Sequence, residues 1–154
     1  INIRLYKMKY WICLVKSEYI GPCINEERWG VHSGFKPVLE ATEIGDKIIF
    51  YSVANRTNSD RAFHHGYSFI VGVFEITSKI YNTPQSSKWV KEYPYRVNHK
   101  RVGSFNKKID LGYLSYVLGI AERDLRARLV GEDMIEINNE SFEKLCNYDV
   151  QKNS

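Results

Sequence analysis

Two tryptophans, Trp29 and Trp89, stand apart from any apolar run, and basic residues flank both: Arg28 beside the first, Lys88 and Lys91 around the second. That pairing of residue types suits recognition of a flat base on a phosphate backbone. An indole face stacks on a base for ~1–3 kcal/mol, and nearby cations meet the phosphates. Gly30 follows Trp29, and a residue without Cβ lets another group come close to the backbone. With Val31 it completes the run Arg28-Trp29-Gly30-Val31. The third tryptophan, Trp11, lies inside the apolar stretch 10–15 and is expected in the core.

A second group sits at Lys16-Ser17-Glu18, where that stretch ends. The Ser17 hydroxyl can bond a base edge or cap a following helix, and the Lys16 ammonium can meet a phosphate. Glu18, when ionised, only accepts hydrogen bonds, so it favours a donor-bearing edge such as the exocyclic amine of cytosine. Tyr51 and Ser52 close a second β-prone run and are placed at the mouth of the same site. For the phosphates the expected contacts are Lys16, Arg56, Arg61, Lys88 and Arg96, part of a wider basic set with Lys36, His64, His65, Lys91, Lys100, Arg101, Lys107 and Lys108. A surface that tracks a backbone needs such clustering.

Other chemistries lack their residues. His64 and His65 are adjacent and no acid or thiol stands at a ligand spacing from them, so no metal is expected. There is no glycine-rich phosphate loop and no nucleophile elbow. Glu75 and Glu92 have no partner for acid–base work. The chain is read as no enzyme, and no cofactor is expected.

Composition agrees with a packed domain. Of 154 residues 44% are hydrophobic and 14% aromatic, enough for a core. The net charge of +4 permits a nucleic-acid partner without demanding one. Three cysteines, Cys13, Cys23 and Cys146, form no CxxC pair, and an odd number argues for buried or reduced thiols in a cytoplasmic (intracellular) protein, expected as a monomer. The apolar runs are far shorter than the ~20 residues of a membrane span. Met8 reads as a natural beginning, which makes 1–7 an extension, 8–150 one domain and 151–154 a tail.

The elements that must position these residues follow from period and turn signals. Strands are predicted at 10–15, 47–53, 67–81, 95–102 and 134–137. Gly72 inside the third marks a bulge. Helices are predicted at 17–25, 110–118, 122–129 and 140–148, the last capped by Asn139, with one helical turn at 37–42. Residues 26–37 read as irregular, and 54–66 and 82–92 as long loops, which tend to carry function. Few helices around many strands give an α+β class.

The ordered set Tyr10-Trp11-Ile12-Cys13-Leu14-Val15-Lys16-Ser17, Arg28-Trp29-Gly30-Val31, Gly45-Asp46-Lys47-Ile48-Ile49-Phe50-Tyr51, Phe69 to Ile76, Trp89 and Tyr93-Pro94-Tyr95-Arg96-Val97 resembles the EVE domain family, a PUA-like branch related to YTH domains, from about residue 10 to 145. The resemblance implies an α+β, PUA-like mixed β-barrel of five or six strands with flanking helices. It implies that Trp29 and Trp89 wall a cage for one flipped, modified base. YTH relatives place a base-reading asparagine after the Lys-Ser pair, where this chain has Glu18. The expected function is therefore a reader of modified cytosine or adenine in DNA, as the specificity module of a restriction or defence system with a partner nuclease or translocase. The alternatives are a PUA-like reader of a modified RNA base, and a small enzyme or nucleotide-binding regulator using the same cavity.

Overall fold

In a computed structural model the described residues are 7–31, 33–53, 68–82, 94–131 and 134–147. Among the described residues seven strands form one sheet. β1 (Tyr10–Lys16), β2 (Arg28–Val31), β3 (Lys47–Val53), β4 (Ser68–Ile76), β6 (Tyr95–Lys108) and β7 (Met134–Ile137) run in the spatial order β2-β6-β4-β3-β1-β7, and the two-residue β5 (Tyr81–Asn82) pairs with β6. The helices are α1 (Ser17–Asn25), α2 (Lys36–Glu40), α3 (Leu111–Leu118), α4 (Glu122–Gly131) and α5 (Asn139–Asn147). The result is a mixed sheet curled into a half-barrel with flanking helices, as the α+β expectation has it. Among the described strand pairs only β1 and β3 are parallel. The connection between them carries α1, β2 and α2, as a parallel pair requires a long crossover.

Four sequence expectations change. The stretch read as irregular contains β2, paired with β6 from Arg28↔Asn98 to Val31↔Tyr95. A four-residue strand beginning with arginine and interrupted by glycine gives almost no alternation signal. The strand predicted at 67–81 divides into β4 and β5 around residues 77–80, and β6 runs six residues past its predicted end. The cap of α5 is Asn138, not Asn139: its side-chain oxygen accepts from the Ser141 N–H at 2.7 Å.

Alternation sorts the side chains onto two faces. On one, Ile12, Ile49, Tyr51, Ile70, Ile135 and Ile137 pack under Leu111 and Leu114 of α3, Leu125 of α4 and Phe142 and Leu145 of α5. On the other, inside the curl, lie Trp11, Cys13, Trp29, Phe50, Phe74, Val97 and Met134. Gly72 controls the division. Ile70 and Phe74 are four residues apart and would share a face in a regular strand, yet they belong to opposite clusters. The register shifts on both sides of β4 at this point, and Gly72 has φ +53°. A Cβ there would stand 3.0 Å from the Phe74 ring and 3.1 Å from the Gly103 carbonyl oxygen. The bulge thus turns Phe74 inward, and only glycine fits it.

Asp46 anchors the start of β3. Its buried carboxylate accepts from the Lys9 N–H at 3.1 Å, the Glu43 N–H at 3.0 Å and the Trp11 indole N–H at 3.0 Å. Burial pushes its pKa up, while the backbone donors oppose that rise. Gly45, at φ +99°, makes the turn before it. At α3 the pattern is simpler: Asp110 caps through the Tyr113 N–H, and Gly119 ends the helix at φ +68°.

Candidate functional site

The parallel pairing of β1 with β3 brings two candidate groups to one edge. Lys16 pairs with Val53, so the strands end together. Ser17 opens α1 there, with Glu18 next, and residues 54–67, carrying Arg56 and Arg61, leave from the same edge. The side chains of Lys16, Ser17 and Glu18 lie outside the described residues, as do Arg56 and Arg61 altogether.

Trp29 links that edge to β2. It faces into the curl opposite Val97 and is 2% exposed. Its ring centroid lies 5.7 Å from that of Phe50, and its indole N–H donates to Met134 Sδ at 3.4 Å. Phe50 and Met134 both pair with Cys13, three residues before Lys16. The indole is therefore level with the middle of β1 and β3 and is held at its ring and at its N–H. It is an interior residue. Val31 is buried on the same face, and Gly30 lies opposite Arg96. Val31 and Asn82 both pair with Tyr95, so residues 83–93 connect strands two residues from Trp29. Trp89 and Lys88 belong to that segment and lie outside the described residues.

Two expected site residues stand elsewhere. Tyr51 points to the helix-covered face, 1% exposed, with its hydroxyl 3.4 Å from the Ile109 carbonyl oxygen it donates to. Trp29 faces the other side of the sheet, so the two cannot line one pocket; strand phase puts Phe50, not Tyr51, beside the indole. Arg96 is fully buried between Gly30 of β2 and Tyr81 of β5, not displayed on the surface as a phosphate contact would be. Burial pushes its pKa down, opposed chiefly by Tyr81 and Glu26.

Sequence reasoning missed His99. It is 1% exposed, with its ring 5.4 Å from Phe50 and 5.0 Å from Phe74 between centroids and Nε2 3.8 Å from Cys23 Sγ. Burial lowers its pKa to about 4, and burial raises that of the Cys23 thiol, so both are neutral at pH 7. The available signal was phase: Val97 and His99 alternate onto one face of β6. The wider basic set is mostly engaged where it is described. Lys36 lies 5.0 Å over the Tyr95 ring and Arg101 5.1 Å over Phe74. Lys100 reaches Glu75 at 3.8 Å, and Lys47 holds the same carboxylate at 2.8 Å. Among the described residues no three His, Cys, Asp or Glu side chains gather to hold a metal, and no helix is long and apolar enough to cross a membrane.

The comparisons with known proteins agree with this architecture. The family model of the EVE domain matches residues 9–148. A UPF0310 protein of Pyrococcus abyssi is 26% identical over 143 residues, covering 88% of this chain and 95% of its own. Among solved structures, a hypothetical protein from Leishmania major superimposes with a TM-score of 0.64 at 14% identity, covering 96% of this chain and 98% of that one. The Mmi1 YTH domain superimposes with a TM-score of 0.59 at 16% identity, covering 94% and 98%. At such identities the likeness is one of fold.

Proposed function

This chain belongs to the EVE domain family, and we propose that it is a binding module that takes one flipped, modified base of a nucleic acid against Trp29, with Trp89 as the opposite wall. The observation that carries this reading is the setting of Trp29. A large aromatic is clamped by Phe50 and Met134 inside the curl of the sheet, level with the middle of β1 and β3 and three residues before their ends. Flipping a base costs a few kcal/mol of stacking and pairing. A preorganised indole recovers part of that without losing side-chain freedom on binding. In this proposal Gly30 and Val31 shape the backbone beside the indole. Ser17 and Glu18 meet the base edge, and Lys16, Arg56, Arg61 and Lys88 meet phosphates. Glu18 biases the pocket toward an amine-bearing base edge such as that of a modified cytosine, and DNA is the favoured nucleic acid in this proposal. The module would then supply specificity to a partner nuclease or translocase.

One methyl group offers at most ~0.8 kcal/mol by burial alone. Strong preference for a modified base therefore needs polar groups that the wrong base leaves unpaired. The test is a binding panel of methylated and unmethylated DNA and RNA oligonucleotides at one fixed salt concentration. Preference for methylated DNA is the expected result. Preference for a modified RNA would move the substrate class, and equal affinity for all would remove the cage.

A further inference from the structure

The spatial order of the strands leaves β2 and β7 at its two ends, and among the described strand pairs none joins them. The curl nevertheless brings them together: the Trp29 indole of β2 donates its N–H to Met134 Sδ of β7 at 3.4 Å. Among the described residues the seam between the two edges is therefore bridged by side chains, without a backbone ladder.

The bridge is weak for its position. A thioether sulfur is a poor acceptor, yet it is the one hydrogen-bond partner described for an indole that is 2% exposed. An oxygen offered by a ligand would satisfy that N–H better. Met134 is also the neighbour best able to move. It is the first residue of β7, so Cys13↔Met134 is the end rung of the β1–β7 ladder. Its side chain is unbranched, with three rotatable bonds. Phe50, the other neighbour of the indole, is fixed. It lies on β3 between β1 and β4, and its ring centroid is 4.9 Å from that of Phe74 and 5.4 Å from that of His99.

A base stacks on the face of a ring, and at 2% exposure neither face of Trp29 is open to one. Uptake of a base therefore requires a neighbour to give way. We propose, resting on the base-binding reading above, that the Trp29–Met134 contact is a latch across the seam of the half-barrel. It holds the indole in place and covered in the free chain. When a flipped base enters, the thioether withdraws and the indole N–H passes to an oxygen of that nucleotide's sugar–phosphate. Met134 is thus a positioning residue. The apparent affinity is lowered by the small fraction of chains whose latch is open, so loosening the latch tightens binding.

The test follows the nuclear Overhauser contact between the Met134 ε-methyl and the Trp29 indole proton in the whole chain. The probes are the tightest-binding methylated oligonucleotide of the panel above and the same strand with an abasic site in place of the methylated nucleotide. Saturation with the methylated strand is expected to abolish the contact and move the indole proton downfield. The abasic strand, which carries the phosphates without the base, is expected to leave both as in the free chain. Met134→Leu keeps nearly the same volume and removes the sulfur acceptor, so the fold persists. It is expected to bind the methylated strand about two- to tenfold tighter, the equivalent of one hydrogen bond lost from the closed form alone, and to associate faster. A permanent wall of the site would give the opposite sign. A contact that persists in the saturated complex overturns the latch, as does its equal loss with the abasic strand or unchanged or weaker binding by Met134→Leu. In each of those cases a methyl preference in the native chain leaves the base-binding reading standing. A panel in which no oligonucleotide binds overturns that reading and the latch together.

Discussion

The two faces of the sheet are built from different materials. The helix-covered face is mostly aliphatic: Ile12, Ile49, Ile70, Leu111, Leu114, Leu125 and Leu145 fill it, with the buried Tyr51 and Phe142 among them. The inner face holds two tryptophans, Phe50, Phe74, two cysteines, a methionine and a neutral histidine. Aliphatic packing maximises burial without polar groups to satisfy. The inner face accepts polar handles that each need a partner: the Trp11 N–H on Asp46, the Trp29 N–H on Met134, His99 beside Cys23. The contrast teaches that both faces are packed, the helix-covered one by burial alone, while the curl is furnished with aromatic and sulfur groups.

The largest expected effects separate the faces. Trp29→Ala should cost about 3–5 kcal/mol of stability, because removing a buried indole held by Phe50 and Met134 leaves a cavity. Leu114→Ala should cost about 2–5 kcal/mol. Denaturant unfolding gives both values. Under conditions where each variant remains folded, only Trp29→Ala should lose the preference for a modified base. A changed preference in Leu114→Ala would mean that the two faces are not independent.

Next is pH. His99 has a folded-state pKa of about 4 against an ordinary 6.5. Between these values the unfolded chain binds the extra proton, so stability is complete above about pH 6.5 and falls as pH drops toward 4, by about 3 kcal/mol. Unfolding curves across that window should show the loss, and His99→Leu should flatten it. An unchanged slope in the variant would assign the acid sensitivity to other groups.

Much of this division was legible in the sequence. The continuous apolar, β-prone run 10–15 marked β1, the Gly45-Asp46 turn before a β-prone stretch marked β3, and Gly72 announced its bulge. Phase also predicts that Trp29 and Val31 share a face once β2 is known, but β2 itself carries no pattern of its own. It exists because β6 offers it an edge, a tertiary effect that local propensity cannot show. For the same reason Tyr51 was placed at the mouth when its neighbour Phe50 faces inward, and Arg96 was counted as a surface cation although two strands enclose it. Asp46 and His99 went unnoticed as supports because their partners are distant in sequence, from Lys9 and Trp11 in one case to Phe50 and Phe74 in the other.

Smaller effects sharpen the nucleic-acid side. Arg56→Ala with Arg61→Ala should weaken modified and unmodified oligonucleotides alike, since phosphate contacts carry no base information. The slope of log K against log salt should become shallower by about one unit for each phosphate no longer neutralised. A slope that does not move puts these arginines off the binding face. Smallest of all is Glu18→Gln, which restores a donor at nearly constant shape. Its expected signature is a changed ranking of methylated cytosine against methylated adenine, read in the same panel. A fixed ranking with unaltered affinities places Glu18 toward solvent.

The central claim is that the modified base lies against Trp29. It is tested most directly by the difference in affinity between a methylated and an unmethylated oligonucleotide, measured at one salt concentration for the native chain, Trp29→Phe, Trp89→Ala and the double variant. Phenylalanine keeps the position filled and removes the indole. The account predicts that each single substitution shrinks the methyl preference while the common, phosphate-driven affinity persists. It also predicts that the double variant loses less than the sum of the two, because both walls touch one base. A methyl preference untouched by Trp29→Phe, or losses that add strictly, would contradict it.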